Sequence, residues 1–177
     1  MKKILSFILL GATSLVASAQ ISSLDELSTD KAYTIYNPFY TTYAVYNAEK
    51  STSLVWAAGM TASDKTIADQ SYTTPFNAAD PSSSWMIVPF NEQWFVYNLG
   101  AKKFMAVGHS AANSSTASAK LQDTPVAVEF TSNGNGGFHL RSYDGNQNFL
   151  CAAPQLSYPI SIWTSADNGS TWQIEEN

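Results

Sequence analysis

Tyr158, Trp163, Asp167 and Asn168, close together near the end of the chain, are the residues whose types and spacing best suit a chemical task, and that task is binding. An indole stacks on the apolar face of a sugar, while a neighbouring carboxylate or amide takes hydrogen bonds from its hydroxyls. Ile160 and Ile162 alternate with Ser161 and Trp163, so a strand that turns the isoleucines inward turns Trp163 outward. The competing expectation is that Trp163 packs on a neighbouring part of the molecule. Material for catalysis is sparse. His109 and His139 are the only histidines, and no CxxC, HxxxH or HExxH spacing occurs, which leaves little for a His-dependent mechanism or a metal site. Glu129 and Asp144 are carboxylates able in principle to meet as a glycosidase pair, but each is expected to be solvated. Cys151, the single cysteine, stands between Leu150 and Ala152 and is expected to be a buried structural thiol. The sequence therefore reads as a non-enzyme without cofactor or metal.

These residues are positioned by a repeated unit, clearest in residues 84–107. Trp85-Met86-Ile87 forms a closing strand, Pro89 and Asn91 mark a corner, Trp94 to Asn98 is a strand, Asn98-Leu99-Gly100 a turn, and Phe104 to Val107 the return. Tyr33 to Asn37 and Phe138 to Ser142 repeat the strand of 94–98, the latter followed by the turn Tyr143-Asp144-Gly145-Asn146. The closing strand recurs as Val128-Glu129-Phe130 and Trp172-Gln173-Ile174, at spacings of 43 and 44 residues. One parity stays apolar across the copies (Tyr33 and Ile35, Trp94 and Val96, Phe138 and Leu140) and is assigned to the core. The other varies (Thr34 and Tyr36, Phe95 and Tyr97, His139 and Arg141) and is assigned to water. A propeller would need about four or more blades. Three copies, about 31–88, 92–131 and 136–177, predict an all-β trefoil, and no segment shows sustained helical periodicity. The connection 59–84 is far longer than its counterparts, and the repeats are expected not to need it. Trp56, sharing parity with Leu54, is expected to be buried.

Residues 1–19 read as a signal peptide: Met1-Lys2-Lys3 is basic, Ile4 to Val16 apolar, and Ala17-Ser18-Ala19 a cleavage site before Gln20. The apolar run is shorter than the roughly 20 residues that span a bilayer, so no membrane insertion is expected. The expected product, 20–177, is one domain, secreted to the exterior or the periplasm. The 14 acidic residues outnumber nine basic ones, two of which, Lys2 and Lys3, belong to the leader. Such a charge disfavours nucleic acid and anionic membrane surfaces as partners.

The stretches DKAYTIYN, WFVYNLGAKKFMAV, DTPVAVEF and IWTSADNGSTWQI resemble the ricin-B-like β-trefoil modules of secreted Bacteroidales proteins, over nearly the whole of 20–177. The resemblance implies six strands closing a short barrel, three hairpins capping one end, and a frequent link to carbohydrate. The chain lacks two marks of that family. No Gln-x-Trp triplet closes a repeat, and Val45-Tyr46-Asn47, Val107-Gly108-His109 and Ala152-Ala153-Pro154 stand where a sugar-orienting Asp would follow the second strand. Two functions follow as expectations. One is a glycan-binding module using Trp163, Asp167, Asn168 and Tyr158. The alternative is a protein-interaction module or trefoil-type inhibitor using the 59–84 loop, in which Lys65 is the one basic anchor.

Overall fold

A computed structural model describes residues 19–59, 76–108, 118–143, 148–152 and 159–177. Residues 1–18 of the expected leader, residues 60–75 of the long connection, His109, Asp144 and Tyr158 lie outside these residues. The described chain is all β, in thirteen strands. They are β1 (Gln20–Ile21), β2 (Tyr33–Asn37), β3 (Thr42–Tyr46), β4 (Val55–Gly59), β5 (Trp85–Phe90), β6 (Gln93–Asn98) and β7 (Lys103–Ala106), then β8 (Lys120–Gln122), β9 (Val128–Ser132), β10 (Phe138–Ser142), β11 (Phe149–Cys151), β12 (Ser161–Trp163) and β13 (Gln173–Glu176). No helix among the described residues is long and apolar enough to cross a membrane.

Six of the strands pair in a ring. The order β13-β2-β5-β6-β9-β10 is antiparallel throughout, and Phe138 at the start of β10 returns to Trp172 beside β13 through N–H···O bonds of 2.7 and 2.8 Å. Three joints of this ring are equivalent: Tyr33 faces Trp85, Trp94 faces Val128, and Phe138 faces Trp172. The remaining strands make hairpins, β3 with β4, β7 with β8 and β11 with β12. The hairpins meet in a cycle of backbone bonds: Val55 N–H donates to Ala119 O (3.0 Å), Ala119 N–H to Ile160 O (2.7 Å), and Ile160 N–H to Val55 O (2.8 Å).

Strand alternation explains the core. Tyr33, Ile35, Val96, Phe138 and Leu140 are all buried, as are Ile87, Val128, Phe130 and Ile174 of the closing strands. Trp85 and Trp172 are wholly buried, and each indole N–H donates to a carbonyl of its own repeat, Ala44 O and Leu150 O, both at 2.8 Å. A buried indole needs such an acceptor, since an unpaired N–H costs most of its lost hydration. The second repeat has Val128 at that place and needs none. Cys151 is buried, and burial pushes its thiol up to about 11.

Several expectations are corrected. Trp94 is only half-buried, packed on the margin of the core. In β4 the core residue is Val55, whereas Trp56 is half-buried on the outer face with the Lys50 ammonium 5.2 Å from its ring centre. Pro89 lies inside β5 opposite Trp94, and the corner is a two-residue turn of Asn91 and Glu92, with φ of 50° and 62°. Thr34, on the outer parity, is buried. The reason is the returning end of the long connection: Phe76 stacks on Tyr43 (centroids 3.6 Å apart, planes 10°), its N–H bonds to Gly59 O at 2.7 Å, and Asn177 Nδ2 holds Ala78 O at 3.0 Å. Tyr43, Val45 and Ala58 thus form a second small cluster with Tyr36, Trp56 and Phe76, and the fold does use residues 76–84. Finally β1, not foreseen, adds Ile21 to the core by pairing with β13.

Candidate functional site

The expected binding residues sit where the third hairpin feeds the last closing strand. β12 pairs with β11 in the register Phe149 to Trp163, Leu150 to Ile162 and Cys151 to Ser161. Ile160 and Ile162 are buried, and Trp163 at the strand's end is half-buried. The chain then enters a 3-10 turn, Asn168–Ser170, capped by Asp167, whose Oδ1 accepts from Ser170 N–H (3.1 Å) and Ser170 Oγ (3.3 Å). The turn is clamped from the first repeat: Asn37 Nδ2 donates to Asn168 O (3.1 Å), Gly169 O (2.9 Å) and Thr171 O (2.9 Å). Beneath it Gly169 is required, because a Cβ there would stand 2.8 Å from Ala152 O and 2.9 Å from Cys151 Sγ.

Trp163, Asp167 and Asn168 are therefore carried on one short, fixed segment, the latter two with exposed side chains. Tyr158 lies outside the described residues. Asp167 serves the fold as well as any ligand, since its Oδ1 is the cap and its Oδ2 has no protein partner among the described residues. The same residue type recurs five positions ahead of each closing strand, as Asp80, Asp123 and Asp167. Asp80 caps the turn Pro81–Ser83 by accepting from Ser82 N–H at 2.9 Å, while Asp123 pairs with Lys103 at 2.7 Å. That spacing was a legible sign of a structural role.

Two features escaped the sequence reading. Phe39 is 59% exposed, on the turn that Asn37 pins against Asn168 to Thr171, and meets Tyr40 edge-on (4.8 Å, 86°). An exposed aromatic ring is thus carried two residues beyond the Asn37 that clamps the polar turn, signalled only by Asn37-Pro38-Phe39, a turn run with a large apolar residue. The second feature is a shallow apolar groove of about 800 Å³ on the barrel wall of the second repeat, lined chiefly by Met86, Val88, Phe95, Tyr97 and Phe104. Its signal was that both parities of that copy are apolar.

Glu129 is held by Arg141 at 2.7 Å, a pairing that raises the guanidinium further, and Asp144 lies outside the described residues. Among the described residues no three His, Cys, Asp or Glu side chains are grouped to hold a metal.

No protein-family profile and no curated protein matches this chain. Solved structures do. A ricin B-like lectin of Macrolepiota procera, in complex with lactose, superposes with a TM-score of 0.65 at 14% identity, over 86% of this chain and 99% of the other. The Rhizoctonia solani agglutinin gives 0.58 at 13% identity, over 83% and 95%. A Polyporus squamosus lectin, bound to the epitope Neu5Aca2-6Galb1-4GlcNAc, gives 0.59 at 16% identity, over 85% of this chain and 50% of the other. At such identities the likeness is one of architecture: the ring of six strands with its three hairpins is a β-trefoil, the fold that these lectins share.

Proposed function

We propose that the chain is an exported, non-catalytic lectin-like module of the ricin-B-like kind found in secreted Bacteroidales proteins. Residues 1–19 are its removed leader, and three four-stranded repeats, about 31–88, 92–131 and 136–177, form one binding domain. The proposed glycan site is the segment of Trp163, Asp167 and Asn168, with Tyr158 before it and Phe39 alongside. The observation that carries the reading is that the chain shares its fold with lectins, two of them seen with bound glycans, while presenting a half-exposed indole just ahead of an exposed Asp-Asn turn. The family's own sugar-orienting Asp is missing, so Asp167 Oδ2 and the Asn168 amide would have to supply the hydroxyl contacts.

The test is a glycan array on residues 20–177, followed by titration of any hit against Trp163→Ala, Asn168→Ala and Phe39→Ala. A tenfold or greater loss of affinity, about 1.4 kcal/mol, with an unchanged thermal midpoint supports the site. Asp167→Ala is expected to lower the midpoint as well, because removing a cap costs about 1 kcal/mol. A blank array sinks the reading. The protein-interaction alternative on the 59–84 loop loses the end of that loop, since Phe76 is committed to the chain's own Tyr43.

A further inference from the structure

The barrel wall presents one arrangement three times. Cross-strand pairs Glu175–Thr34, Val88–Phe95 and Thr131–His139 are equivalent, as are Tyr36–Tyr43, Tyr97–Phe104 and Arg141–Phe149. In the third repeat the wall carries polar side chains with partners of their own: Arg141 bonds Glu129 at 2.7 Å, and His139 lies 2.9 Å from Ser170 O through Nδ1 and edge-on to Phe149 at 5.7 Å, while the Arg141 Nε is buried without a partner among the described residues. In the first, the chain covers the wall with its own peptide, laying Phe76 flat on Tyr43. In the second, the corresponding residues are apolar, and the short connection from Gln122 to Val128 only edges the groove with Pro125 and Ala127 and carries no aromatic ring to lay over it. Among the described residues a groove of about 800 Å³ stands open beside Phe90, itself 64% exposed. An open apolar groove of this kind suits the docking of another apolar segment.

We propose that this groove docks an extended, uncharged peptide segment of another protein, with an aromatic side chain stacked on Phe104 as Phe76 stacks on Tyr43. The aromatic is specified by the equivalent wall, where a phenylalanine ring is what fills the space. The absence of charge is specified by the lining, which has no charged residue although the chain carries a net charge of -5. A charged segment laid there would lose hydration with nothing to pair it. The described part of the segment over the first wall obeys the same rule, Phe76 to Ala79 being uncharged.

The probe is the acetylated and amidated peptide of residues 73–79, followed by amide chemical shifts of the protein at millimolar peptide. Saturable shifts at Met86, Val88 and Phe95, weakened at least tenfold by Phe76→Ala in the peptide, are expected. In the protein, Val88→Glu should abolish them. So should the double change Val88→Thr with Phe95→His, which copies the third repeat's wall and therefore suits the fold. Phe39→Ala should leave them intact. Shifts confined to Tyr43 and Thr34, or none that saturate, overturn the proposal. So does self-association of the protein alone that Val88→Glu removes, since the occupant would then be a second copy. A blank glycan array leaves this test unaffected.

Discussion

Trp85 and Trp172 occupy one position in two repeats and are locked the same way, by full burial and an indole bond to the second strand. Replacing either by Ala opens a large void and leaves a carbonyl in the core without its donor. Each change is expected to cost about 3 to 5 kcal/mol, enough to unfold many domains of this size. Trp94→Ala should cost clearly less, because that ring is half-buried. Denaturant melts of the three variants check this, and equal losses at Trp94 and Trp85 would contradict the burial described. At this scale the sequence was readable wherever one parity stayed apolar and the other polar and uncovered, as in Phe138-His139-Leu140. It was not readable in Leu54 to Ala58, where every residue is apolar and alternation cannot say whether Val55 or Trp56 turns inward. The role of Asp167 was half legible: its polarity suggested a ligand, whereas its fivefold offset from Trp172, shared by Asp80 and Trp85, spoke for a cap.

Among the elements, the β2–β13 wall shows how a distant segment changes what a strand experiences. Alternation alone places Thr34, Tyr43 and Glu175 toward water, yet Phe76, some 33 residues beyond Tyr43, closes over them. No local pattern foretells such a contact. Burial there pushes the Tyr43 hydroxyl up to about 12 and holds the Glu175 carboxyl above its usual range. For Glu175 the folded state favours the neutral form. Its contribution to stability is fully present below the ordinary carboxylate value and is lost as pH rises through the raised one. Glu175→Gln is therefore expected to raise the thermal midpoint at about pH 7 and to leave it nearly unchanged at about pH 3.5. Phe76→Ala, by reopening the wall to water, should shrink that gain. A Glu175→Gln protein less stable than the parent at neutral pH would overturn this account. The two-residue β1 was hidden for a related reason: it is too short to show a period, and its partner β13 lies at the other end of the chain.

For the whole molecule, the cycle through Val55, Ala119 and Ile160 joins the three hairpins at residues that are all buried without measurable exposure. Their amides are expected to exchange with deuterium only when the whole domain opens, with a free energy equal to that of global unfolding. Asn91 and Glu92, in an exposed turn, should exchange orders of magnitude faster. An Ala119 amide that exchanged well ahead of Val55 and Ile160 would show that the hairpins open singly. The cycle also works as a counter. Each repeat gives one N–H and takes one through its carbonyl, so taking a repeat out of this closed cycle strands a donor and an acceptor at the axis, and one added to it finds none vacant. A stacked array can lengthen by a unit at either end. This fold can vary its loops and its walls, but its tally of hairpins is settled at three.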